Sequence, residues 1–174
     1  MNIVFFGSPI YSSRVLSYLL SSKHSVKAVV TQDVKKDKKR KELKTPVGLF
    51  AEENNLHTLY PTNLCSPDFI AELRSLNADI FLIYAYGKIL PTDIINIPKS
   101  GVINLHCSLL PRWRGAAPIQ RALLNRDNQT GITFFKIDEH LDTGNMIASY
   151  EYSIEDDDDS LSLQEKLTDL AIAN

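Results

Sequence analysis

ADIFLIY, residues 78–84, is a nearly unbroken apolar run after Asp79, the pattern of a strand buried on both faces. Immediately before it, PDFIAELRSL (67–76) has helical spacing and opens on proline, which the first helical turn tolerates. Further out lie three more short apolar runs, LHTLY (56–60), VKAVVTQ (26–32) and NIVFF (2–6). Gly7 ends the first of these, and Ser8-Pro9 is a helix-start signal in which the serine hydroxyl is expected to accept from an orphan amide. Ile10, Val15, Leu16, Leu19 and Leu20 follow at helical spacing, and Pro46 opens a short helix through Glu53. Downstream, GVINL (101–105) reads as a strand and 117–125 as a helix. Residues 131–137 and 145–152 read as an antiparallel pair joined by DEHLDTG, and 161–173 as a helix cut off by the end of the chain.

Strands separated by helical segments imply successive βαβ units with right-handed crossovers and parallel pairing. An α/β fold follows, with an open, doubly wound, mostly parallel sheet and helices on both faces. Ligands of such sheets sit beyond the carboxyl ends of the strands, so the segments after Phe6, Gln32, Tyr84 and Asn104 are where chemistry is expected.

At 174 residues the chain suits one domain with a sizeable core. Hydrophobic residues at 44%, charged residues at 23%, 7 Gly and 8 Pro exclude collagen-like, low-complexity and disordered chains. No apolar run approaches the roughly 18 to 20 residues of a membrane span, so a cytoplasmic protein is expected. Cys65 and Cys107 form no zinc-ligand spacing and are expected to be reduced thiols. A net charge of -2 hides an uneven distribution: residues 33–44 hold seven basic against three acidic side chains, while 155–159 is a run of five carboxylates. That pattern favours a local anionic contact over a surface that coats nucleic acid. Neither G-x-G-x-x-G nor a phosphate loop occurs, so no dinucleotide cofactor is expected.

Asn104, His106 and Ser108 alternate at the end of the 101–105 strand, which points all three to one face. The plain alternative is a strand end whose polar groups satisfy one another. Asp138, Glu139, His140 and Asp142 crowd the DEHLDTG turn, which taken alone reads as a solvated hairpin. Together the two segments offer an amide, an imidazole and a carboxylate. Such a set can stabilise a developing oxyanion and relay protons, with the carboxylate supporting the protonated imidazole. Ser108 lies in CSLLP and not in the G-x-S-x-G elbow of a hydrolase. A metal held by His106, His140 and Asp142 lacks the rigid H-E-x-x-H type of pairing, and no metal is expected.

The stretches INLHCSLLPRWRGAAPIQRALLN (103–125) and IDEHLDTGNM (137–146) closely resemble the folate-dependent formyltransferase family. FFGSP near the start, VVTQ with a basic insertion before TPV, and AYGKILP (85–91) agree in order and spacing, so the resemblance covers the whole chain. The RWRGAAPIQRA element is similar to the branch that acts on methionine carried by initiator tRNA. What the resemblance implies is a Rossmann-like formyltransferase fold and transfer of a formyl group from 10-formyltetrahydrofolate to the methionine α-amino group. It further implies Asn104, His106 and Asp142 as the catalytic trio. Ser108, Leu109, Leu110 and Pro111 are then folate contacts, with Tyr86, Gly87, Leu90 and Asp138 lining the pterin slot. The basic segment around Lys38, Lys39, Arg40 and Lys41 takes the place of an insertion that approaches the tRNA acceptor end, where phosphate neutralisation makes binding salt-sensitive. KKDKKRKELK departs from the usual Gly- and Pro-rich insertion and reads equally as a short charged helix or a solvated loop tip. Arg112, Trp113 and Arg114 are either further substrate contacts or a means of fixing their loop. Family members continue into a carboxyl-terminal β-barrel that helps to bind tRNA, so residues 1–174 are expected to be a truncated catalytic domain without that barrel. No obligatory protein partner is expected. A small-molecule formyltransferase of the glycinamide ribonucleotide or amino-sugar type, and a noncatalytic folate- or RNA-binding remnant, are the alternatives.

Overall fold

The computed structural model describes residues 1–32, 35–36 and 42–174. The chain divides into two compact units, Met1–Val102 and Ile103–Asn174.

In the first unit β1 (Asn2–Gly7) leads into α1 (Ile10–Ser21) and β2 (Ser25–Val30). The two-residue strands β3 (Lys35–Lys36) and β4 (Glu42–Leu43) pair antiparallel with each other, and the residues between them lie outside the described ones. Then come α2 (Pro46–Glu53), β5 (Thr58–Leu59), α3 (Pro67–Ser75), β6 (Ile80–Tyr84) and the one-turn α4 (Thr92–Ile95). Strands β5, β2, β1 and β6 lie side by side in that order, every pair parallel, as the alternation of strand and helix requires. Phe5, Phe6 and Phe81 are fully buried, with the Phe6 and Phe81 rings 5.2 Å apart. Each such side chain contributes about 2 kcal/mol by leaving water.

The α1 start falls where Ser8-Pro9 places it, but by a different device. Ser8 does not cap the helix; Pro9 occupies the N-cap position, and no side chain caps there. The Ser8 hydroxyl instead donates to the Tyr86 carbonyl at 3.1 Å. Burial decides this, since a serine only 8% exposed finds its partner in the neighbouring loop. One turn on, Ser12 donates to the Tyr84 carbonyl at 2.7 Å, and a Cβ on Gly7 would come 2.9 Å from that of Ser12, so glycine there lets the helix approach. The α2 start is the expected one: Pro46 is in the first turn, and the Thr45 hydroxyl accepts from the Gly48 amide at 3.0 Å. The strand expected over 56–60 shrinks to two residues: Thr58 and Leu59 pair with Val29 and Val30, held by the His57 and Leu59 carbonyls, which accept from the Val29 and Thr31 amides at 2.8 and 3.0 Å.

The second unit holds β7 (Val102–His106), whose first residue belongs to the first unit, then α5 (Pro118–Leu124), β8 (Gln129–Lys136), β9 (Met146–Ser153) and α6 (Ser160–Ala173). Strand β7 pairs antiparallel with β8, and β8 with β9. Ile119, Ala122, Ile132, Phe135, Leu163 and Leu167 form its buried interior. The Asp159 carboxylate accepts from the Leu161 and Ser162 amides, both at 2.8 Å, while the Ser162 hydroxyl accepts from the Asp159 amide at 3.1 Å. That reciprocal box fixes where α6 begins. The α/β expectation is borne out by the parallel set. Among the described residues no helix is long and apolar enough to cross a membrane.

Candidate active site

Strand β7 pairs Asn104 with Phe135 and His106 with Thr133 on β8. Alternation sets Asn104 and His106 on one face, with His106 at the carboxyl end. Its imidazole stands edge-on to the Phe135 ring, centroids 6.4 Å apart. Nε2 lies 2.9 Å from the Trp113 carbonyl oxygen. A carbonyl only accepts, so the ring carries a hydrogen on Nε2 and donates it there. Nδ1 is thereby turned toward Asp142, whose Oδ2 lies 3.7 Å away. That separation is an ion-pair distance but too long for a hydrogen bond. Asp142 is held from another side, its Oδ2 accepting from the Gly115 amide at 2.7 Å. Its backbone φ of 52° lies in the left-handed region that aspartate tolerates better than most side chains. The two side chains are only 8% and 12% exposed.

The sequence resemblance assigns the imidazole's support to Asp142. In the structure the direct hydrogen bond to the ring comes from the Trp113 main chain, which residue types cannot reveal. Ser108 is fully buried, and its hydroxyl donates to the Arg112 carbonyl at 2.6 Å. The Thr133 hydroxyl donates to the Ser108 carbonyl at 2.7 Å and accepts from the Leu110 amide at 3.1 Å. Thr133 therefore pins the strand-to-loop turn, a part that sequence reasoning missed although the 131–137 strand itself was legible. Leu109 and Leu110 are half-buried and Pro111 is exposed.

Asp127, also absent from the sequence-based candidates, gathers four donors. Arg112 contributes Nε at 2.8 Å and Nη2 at 2.6 Å, Trp113 its indole Nε1 at 2.7 Å, and Asn125 its amide at 2.6 Å. The Arg112 guanidinium, opposed by burial and assisted by Asn125 and Trp113, holds the Asp127 carboxyl well below the usual carboxylate range. Arg112 also lies over the Trp113 ring, 4.4 Å from its centroid. Arg112 and Trp113 thus fix their own loop, and Arg112 and Arg114 are both exposed. The one sequence signal available for Asp127 is an acid close behind a helix that follows an Arg-Trp pair.

Asp138 is exposed, and its carboxylate is used inside its own turn. It accepts from the His140 amide at 3.0 Å and from the Thr143 hydroxyl at 2.8 Å. Those bonds, Thr143's first, lower its pKa. In the first unit Tyr86 is a core residue, its ring edge-on to Phe6 at 5.4 Å and its carbonyl accepting from Ser8 and from the Gln32 amide at 2.9 Å. Gly87 has φ +81°, and a Cβ there would come 2.5 Å from Gln32 Nε2, which explains glycine at that position. Leu90 is buried beside them in sequence. Lys38, Lys39, Arg40 and Lys41 lie outside the described residues. Among the described residues no cluster of His, Cys, Asp or Glu could hold a metal ion.

Asn104 and His106 share one strand face, and a loop carboxylate, Asp142, stands 3.7 Å from the imidazole. The chain belongs to the formyl transferase family, whose pattern matches residues 1–173. Within it, the chain is similar to the methionyl-tRNA formyltransferases of Prochlorococcus marinus strains MIT 9312 and AS9601, each 44% identical over 173 residues. The match takes in 98% of this chain and 53% of each relative, so the chain spans about half the length of the curated relatives it matches. Solved structures share the fold at lower identity. Phosphoribosylglycinamide formyltransferase from Bacillus halodurans superposes with a TM-score of 0.83 at 19% identity, covering 99% of this chain and 90% of that one. Glycinamide ribonucleotide transformylase 1 from Symbiobacterium toebii gives 0.84 at 15%, covering 99% and 82%.

Proposed function

We propose that this chain carries the formyl-transfer centre of a cytoplasmic methionyl-tRNA formyltransferase, with 10-formyltetrahydrofolate as donor and the α-amino group of methionine on initiator tRNA as acceptor. The observation that carries the reading is the shielded His106–Asp142 pair, 3.7 Å apart, formed by two motifs distant in sequence within a chain that is 44% identical to proteins of that name. The folate supplies the formyl group, and a bond forms between the methionine nitrogen and the formyl carbon. Charge gathers on the formyl oxygen, where the Asn104 amide and a protonated His106 are the proposed donors. Because Nε2 is bound to a carbonyl, Nδ1 is the nitrogen left for this exchange. Asp142 takes the proton that the amine loses, directly or through water, and the carbon–nitrogen bond to the folate breaks as its nitrogen is protonated. Neither side chain needs to bond covalently to the substrate.

Ser108, Leu109, Leu110, Pro111 and Asp138 in the second unit, and Tyr86, Gly87 and Leu90 in the first, are assigned to the folate by family resemblance. Lys38, Lys39, Arg40 and Lys41 are proposed to neutralise tRNA phosphates.

The deciding experiment is formylation of charged initiator tRNA beside glycinamide ribonucleotide, with wild-type chain and His106→Ala. Transfer to the tRNA alone, lost by at least about 100-fold in a folded His106→Ala protein, is expected. Transfer to glycinamide ribonucleotide instead, or a variant of near-normal rate, overturns the reading.

A further inference from the structure

The imidazole of His106 is aimed by the Trp113 carbonyl, so whatever fixes the main chain at Trp113 also fixes the ring. Trp113 has a backbone φ of 58°, in the left-handed region that a bulky side chain keeps only when its surroundings hold it there. Three contacts do so. The indole Nε1–H donates to Asp127 Oδ2 at 2.7 Å, and the ring face lies under Arg112, whose guanidinium is held in a two-point pair by the same carboxylate at 2.8 and 2.6 Å. Before the tryptophan, the Arg112 carbonyl accepts from the buried Ser108 hydroxyl at 2.6 Å. Asp127 is 10% exposed and meets both consecutive residues of the loop. Asn125 fills a further acceptor position on Oδ1 at 2.6 Å.

We propose that Asp127 is a positioning residue for His106, acting through the indole and guanidinium it binds to set the Trp113 carbonyl against the imidazole Nε2–H. The proposal rests on the reading of His106 given above only for its effect on turnover; the orientation of the ring is tested apart from it. A planar fork on one side and an indole N–H on the other demand two correctly oriented carboxylate oxygens, so a neutral isostere cannot satisfy both. Asp127→Asn loses the charged pair, and Trp113→Phe keeps the ring beneath Arg112 while removing the indole donor.

The test is nitrogen-15 NMR of the histidine side chains in the full chain, with the His106 Nε2–H signal assigned by its absence from His106→Ala. The hydrogen bond to Trp113 makes that proton slow to exchange in the wild type. Asp127→Asn is expected to broaden or abolish the signal and to lower kcat for formyl transfer at least tenfold, with KM for the folate changed less than twofold. Trp113→Phe is expected to act in the same direction, and decides the matter if Asp127→Asn fails to fold. A signal that persists unchanged in a folded Asp127→Asn or Trp113→Phe protein overturns the proposal. Loss of the signal with kcat unaltered upholds the positioning and counts instead against His106 as the transfer residue.

Discussion

Gly144 lies so close to the backbone oxygen of Lys136 that a Cβ would collide with it, and would also come within 3.3 Å of the Asp138 amide nitrogen. Neither neighbour is the end of a flexible side chain, so a methyl group could be housed only by opening the turn that carries Asp142. Gly144→Ala is therefore expected to destabilise the chain by about 2 kcal/mol, the scale of a strained or overpacked backbone position. A fall in the midpoint of urea unfolding measures it; an unchanged midpoint would mean that the turn relaxes freely. Asp138 and Thr143 close this turn from within, so its acidic composition reads as a solvated hairpin in sequence while its shape is set by side chain bonded to backbone. At this scale the sequence reveals the chemistry better than the geometry. Asn104, His106 and Asp142 are visible as an amide, an imidazole and a carboxylate, and their spacing already places two of them on one strand face. The carbonyl of Trp113 and the amide of Gly115 are not visible, because every residue has them.

At the scale of the element, termini set by local chemistry are legible and those set by distant partners are not. Pro46 marks the start of α2 correctly because a proline in the first turn acts locally, and the structure adds a Thr45 cap beside it. Ser8-Pro9 has the same signature and yields a different bond, since Tyr86, far along the chain, competes for the hydroxyl. The one-turn α4 escapes notice because four residues carry no period. Helix α6 belongs to the first kind. Its Asp159 cap takes two amides, and Asp159→Ala is expected to cost about 1 kcal/mol, with faster hydrogen exchange confined to the first turn of that helix. Protection lost evenly along all of α6 would show that the cap governs more than the helix end.

For the whole molecule the acidic groups fix the response to pH. Asp79 is lowered by the Asn2 amide and Lys99, Asp127 chiefly by Arg112, and Asp158 by Ser162 and Lys166 against the larger opposing effect of burial. Each has a folded pKa below its unfolded value of about 3.9, so the unfolded chain binds more protons in acid. Stability from these groups is fully present above about pH 5 and is lost as pH falls through their folded values. Asp79, 28% exposed against 10% for Asp127 and so more open to screening by salt, contributes less. The urea midpoint is expected to hold near pH 6 and to drop between about pH 5 and 3, with Asp127→Asn flattening the drop. A midpoint level across that interval would contradict it. Lys166 is shifted upward by Asp158 and Glu155, which has the opposite sign: its contribution is lost only above about pH 10. The fold class is legible because burial on both faces leaves unbroken apolar runs such as residues 78–84, whereas no sequence period marks how those runs are ordered side by side.

The oxygen that faces the imidazole belongs to the peptide unit of Trp113. Exchanging the side chain at that position can shift this acceptor but never remove it. A scan of tolerated substitutions would thus grade position 113 by how firmly each replacement anchors to Asp127, and would leave the atom that meets the ring uncounted. Only a backbone edit, such as a thioamide in place of that carbonyl, would weigh its share directly.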